Sequence, residues 1–66
     1  MWSTIHLKST DKGFEPKDER SQNFLQSCYS QFQEYLESAC YVKNNDELNL
    51  IVTLALRSGV KVEIEP

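Results

Sequence analysis

Apolar residues change their spacing along this chain, and each change predicts a new element. Residues 2 to 9, Trp-Ser-Thr-Ile-His-Leu-Lys-Ser, alternate, with Ile5 and Leu7 on one face and Thr4, His6 and Lys8 on the other. That period of two predicts a half-buried strand. Residues 10 to 17 collect Asp, Gly and Pro around one aromatic, Phe14, and predict a loop from sheet to helix, with Phe14 packed beneath the helix that follows. From residue 18 to Val42 there is no Gly or Pro, and Leu25, Cys28, Phe32, Tyr35, Ala39 and Val42 recur in steps of three and four. Phe24, Leu36 and Cys40 widen the stripe. The pattern predicts one long amphipathic helix over 18–42, with Pro16 close to its first turn and with Asp18 and Glu19 complementing its dipole.

Asn44-Asn45-Asp46-Glu47 reads as a break followed by a start, because Asn44 can cap a helix and Glu47, three residues on, can reach back. A short helix is predicted over 45–57, with Leu48, Ile51, Val52, Ala55 and Leu56 as its main stripe, Arg57 in its last turn and Gly59 as its stop. A hairpin also fits, since Leu48, Leu50, Val52, Leu54 and Leu56 alternate and Ser58-Gly59 could turn. The cap, the terminal charges and the glycine all favour the helix. Residues 60 to 65 alternate strictly, with Val60, Val62 and Ile64 inward and Lys61, Glu63 and Glu65 outward, and predict a closing strand. The expected fold is a single small α+β domain in the order β-α-α-β. Two strands make a marginal sheet, so an extension is expected, by dimerisation or by a larger assembly.

Length sharpens that expectation. Sixty-six residues bury only about 60% of the surface of the unfolded chain, and small domains usually reinforce such a core with disulfides, a metal or a partner. Cys28 and Cys40, placed in one helix, stand roughly 18 Å apart and cannot pair. One His and no paired Cys/His spacing give no support to zinc. Association is the reinforcement that remains.

Seven Lys and Arg against ten Asp and Glu give a net charge of -3. The first twenty residues are neutral, and the acidity lies downstream. No basic run is present, which disfavours general binding to nucleic acid or anionic membrane. Apolar runs such as Leu50 to Val52 are far too short for a membrane span or a signal-peptide core, so a cytoplasmic protein is expected.

Little in the chain points to catalysis. His6 has no motif partner beyond Ser3, Thr4, Ser9 and Thr10, and an ordinary solvent-facing strand histidine is the simpler reading. The two cysteines fall on or beside the apolar stripe and read as small buried hydrophobes. Glu34 and Glu37, one turn apart, are too few ligands for calcium or magnesium. No phosphate-binding glycine loop or nucleophile elbow occurs. Neither an enzyme activity nor a cofactor nor a metal is expected.

Two features suggest contact with protein. The polar face of the long helix, from Ser21 through Gln22, Gln26, Gln33 and Glu37 to Ser38, carries no positive charge, and Tyr29 and Tyr41 border it. In the short helix, seven of the nine residues from Leu48 to Leu56 are apolar, which leaves Leu50 and Leu54 for a partner to cover. The leading expectation is a small acidic protein-binding module, a regulator, inhibitor or accessory subunit docking through Gln26, Tyr29, Gln33, Tyr41, Leu50 and Leu54. Its expected partner is a protein, a basic surface being favoured, or a second copy. A DNA-mimicking regulator of phage or mobile-element type is one concrete form. The alternative is a dimeric nucleic-acid binder of the ribbon-helix-helix kind, reading through Thr4, His6 and Lys8.

Overall fold

The strand β1, Ser3–Thr10, is the middle strand of a three-stranded sheet in the computed structural model, which describes residues 3–66. A short strand β2, Gly13–Pro16, pairs antiparallel on one side of it, and β3, Val60–Glu65, pairs parallel on the other. Two helices, α1 (Glu19–Gln31) and α2 (Asn45–Arg57), lie between β2 and β3 in the chain. A parallel pair needs a long crossover, and the helices provide it. The α+β class and the β-α-α-β order stand, with one short strand added. The first strand was expected from residue 2; Trp2 lies outside the described residues. Among the described residues, no helix is long and apolar enough to cross a membrane.

Ile5 and Leu7 sit on the helix side of β1 and are buried, while Lys8, on the opposite face, is exposed. Leu25 and Cys28 of α1, Ile51 of α2, Leu36 and Val42 complete the core cluster. The short helix forms as its caps imply. Asn44 Oδ1 accepts the Glu47 N–H at 3.0 Å, and Gly59 takes the left-handed conformation at φ 72°. Its stripe is rotated from the expected one: Ile51 and Ala55 are buried, Leu48, Leu50 and Leu54 are half-buried against the core, and Leu56 is 71% exposed.

Residues 10 to 17 are not the loop expected. Asp11 and Lys12 turn the chain with negative φ, Gly13 takes φ 130°, and β2 returns along β1 with Phe14 opposite Ser9 and Pro16 opposite Leu7. Pro16 therefore ends a strand instead of starting a helix. Asp18 caps α1, its carboxylate accepting the Ser21 N–H at 2.8 Å. Hydrogen bonding by the Ser21 side chain, and then by its N–H, holds the Asp18 carboxyl below its ordinary range.

The long helix also stops early, at Gln31 in place of Val42. Twenty-five helical residues would run roughly 37 Å. The whole domain measures 31 × 26 × 19 Å, so the last turns would project past the sheet with their apolar side uncovered. The chain instead turns at Phe32 and folds back, burying Leu36 and Val42. Phe14 donates its N–H to the Val42 carbonyl at 2.8 Å and Val42 returns the bond at 2.7 Å. Residues 32 to 44 thus form a strap along the outer edge of β2.

The strap presses on Gly13. A Cβ there would lie 2.0 Å from the Val42 carbonyl oxygen, whereas a Cβ at Gly59 would meet nothing within 4 Å. Gly13→Ala is expected to cost on the order of 2–3 kcal/mol, from strain plus collision. Gly59→Ala should cost about 1 kcal/mol, for the left-handed backbone alone. Urea unfolding of the two variants checks this, and equal losses would mean that the strap does not approach Gly13 so closely.

Candidate functional site

Where α1 stops, the strap is fastened to the start of α2 by one carboxylate. Glu47 accepts the Lys43 N–H at 3.1 Å and the Glu37 N–H at 3.3 Å, so the reach-back expected of it goes to the residue before the cap and to mid-strap. Glu37 in turn accepts the Tyr41 hydroxyl and pairs with Lys43 Nζ at 3.0 Å. The Tyr41 bond and then the Lys43 bond hold the Glu37 carboxyl below its usual value. The same contacts with Glu37 push the Tyr41 and Lys43 pKa values up.

Fastened this way, the strap presents Tyr35 outward, 67% exposed, with Phe32 beside it half-buried. The Tyr35 N–H donates to the Phe32 carbonyl at 3.0 Å, which fixes the turn between the two rings. Two hollows share these aromatics as a common wall. One, of about 440 Å³, is completed by Leu50 and by Asn44, Asp46 and Glu47 at the start of α2. The other, of about 390 Å³, is completed by Ser30, Gln31, Gln33 and Glu34. The floor of the larger hollow is apolar and the surroundings are acidic: between residues 34 and 47 the chain carries Glu34, Glu37, Asp46 and Glu47 against Lys43 alone.

The expected contact residues divide on the structure. Leu50 and Gln33 line the two hollows. Tyr29 and Leu54 are half-buried against the core, Tyr41 is tied to Glu37, and Gln26 stays exposed on α1, away from the hollows. Ser21 does not belong to a polar outer face. It is wholly buried, and its hydroxyl accepts the His6 N–H at 2.7 Å, joining α1 to β1. The apolar stripe of the expected helix includes Phe32 and Tyr35, and Asp46 belongs to the expected start signal of the short helix; all three line the larger hollow.

The open face of the sheet is a second polar surface. His6 Nδ1 lies 3.5 Å from Glu63, Lys61 lies 3.4 Å from the same carboxylate, and Lys17 pairs with Glu65. Lys8 stands opposite both Glu15 and Glu65. Charges of both signs alternate there, so Thr4, His6 and Lys8 share a face without forming a basic patch. β1 is also the inner strand, paired on both sides, and is not free to form the two-stranded ribbon that the nucleic-acid alternative requires. Among the described residues, no group of three or more His, Cys, Asp or Glu side chains converges as a metal site.

Both cysteines are free, and they differ from what one continuous helix implies. Cys28 is buried, and burial pushes its thiol pKa up; Cys40, in the strap, is exposed. No protein-family model, curated protein or solved structure matches the chain.

The two thiols give a direct check on the strap. A maleimide reagent is expected to modify one thiol per folded chain, Cys40, and two in denaturant, counted by intact mass. Equal protection of both would place Cys40 against the core.

Proposed function

We propose that this chain is a non-enzymatic protein-binding module that docks on a partner through the groove around Tyr35. The observation that supports this most is a large aromatic held in the open between two hollows. Isolated apolar residues are common on surfaces, but Tyr35 stands beside Phe32 and Leu50 on a fastened loop, and aromatic anchors set in hollows are typical of contact sites. A thirteen-residue stretch without helix or strand pairing beyond one bridge is also longer than most connections, and loops of that length tend to carry function.

The acidic rim selects the partner's chemistry. A segment bearing an aromatic or branched apolar residue flanked by Lys or Arg fills the larger hollow and meets Asp46 at its margin and Glu34 across the shared aromatic wall, with charge guiding encounter. A regulator or accessory subunit that docks on a basic surface fits this description. Two unpaired thiols, one of them exposed, suit work in the reducing cytoplasm.

Selection of a random displayed peptide library on the purified protein tests the reading. Enriched peptides are expected to carry an apolar anchor among basic residues and to shift the amide resonances of Phe32, Tyr35 and Leu50. Tyr35→Ala should weaken such peptides about tenfold or more, the loss ordinarily seen for a buried aromatic anchor. Binders that leave those resonances unmoved, or binding indifferent to Tyr35→Ala, would overturn it.

A further inference from the structure

The sheet has one covered edge and one open one. The strap closes the outer side of β2 through Phe14 and Val42, while β3 pairs only with β1 and presents its other side unpaired among the described residues. Every second residue of this six-residue strand directs its N–H and C=O to the open side, and that row forms a template for another strand. Exposed apolar surface gathers on this side as well. Of the three large hydrophobics that stand exposed among the described residues, Tyr35 belongs to the groove; Ile64, 43% exposed, is on β3, and Leu56, 71% exposed, is in the last turn of the helix that leads into it.

The side-chain order of β3 decides what fits the edge. In a two-fold antiparallel pairing of β3 with itself, centring on Val62 places Val62 opposite Val62, Val60 opposite Ile64 and Lys61 opposite Glu63, the last two pairs each occurring twice. Centring on Lys61 or on Glu63 sets like charges directly opposite each other. Shifting by half a step sets Val62 opposite Glu63 and puts apolar residues on the polar face. One register therefore matches apolar to apolar on the helix side and opposite charges on the open side.

We propose that β3 pairs antiparallel with β3 of a second copy of this chain, centred on Val62, to build one continuous six-stranded sheet. The pairing uses no residue of the groove around Tyr35, so the two proposals stand or fall separately. It supplies the extension that a small three-stranded sheet lacks and covers Ile64.

Sedimentation equilibrium on the wild type and on charge variants tests it. The wild type is expected to dimerise at micromolar concentration. Lys61→Glu and Glu63→Lys each set like charges opposite twice and should weaken the dimer roughly tenfold or more, while the combined variant restores it. Far-UV circular dichroism shows which variants fold. Because Glu63 also contacts His6 within the chain, a second measurement needs no variant: mixed labelled and unlabelled wild-type chains are expected to show interchain contacts between Val62 methyl groups. A wild type that stays monomeric, a dimer unaffected by both folded single variants, a folded double variant that fails to dimerise, or a dimer without Val62 contacts would overturn the proposal.

Discussion

Two backbone hydrogen bonds exchanged between Phe14 and Val42, 2.8 and 2.7 Å long, fix the path on which the rest of this domain depends. They bring together residues far apart in the chain, and they form only because α1 ends at Gln31 and the chain doubles back. Gly13 makes the approach possible, since any side chain there would meet the Val42 carbonyl. The cost of leaving the helix is offset by burial of Leu36 and Val42, by these two bonds and by closure of one sheet edge. An uninterrupted helix would forgo all three and hang beyond a sheet too short to cover it.

The groove follows from that path. A strap that turns at Phe32 cannot bury every apolar residue of the original stripe, and Tyr35 and Cys40 are left outside. Glu47 gives the strap a fixed position by accepting backbone N–H groups from Glu37 and Lys43 while its own N–H bonds Asn44. Helix cap, strap anchor and groove rim are thus one cluster of side chains, which is why an exposed aromatic on an irregular segment can still be held in one place. The acidity of the chain acquires a location in the same step, around residues 34 to 47 and on the edge strand, instead of being a general property of the surface.

Most of the fold was legible because local signals agreed with the tertiary outcome. The alternation of Ile5 with Leu7 and of Val60 with Val62, the Asn44 and Glu47 start signal and the Gly59 stop all describe elements that form as their residues imply. The failures have one physical origin. Periodicity records which side of a helix is apolar and says nothing about how much sheet there is to cover it. Phe32, Tyr35, Leu36, Ala39 and Val42 continue the helical spacing of Leu25 and Cys28 without a glycine or proline to interrupt it, so the break at Gln31 is a tertiary event with no local mark. The length of a 25-residue helix against strands of eight and six residues was the signal that could have found it. The β1–β2 turn did have a mark, Asp11-Lys12-Gly13 ahead of Phe14, but the proline that follows made the segment resemble a connection. Because Tyr35 was placed inside the imagined helix stripe, the groove went unseen, and of the contact residues expected only Gln33 and Leu50 line it.

The central claim is that helical backbone ends near Gln31 and that Val42 is held against Phe14. Backbone chemical shifts with amide hydrogen exchange in solution test it most directly. The account predicts helical shifts from Glu19 to Gln31, their loss through the strap, and slow exchange at the amides of both Phe14 and Val42. Helical shifts continuing unbroken to Val42, with rapid exchange at Phe14, would contradict it.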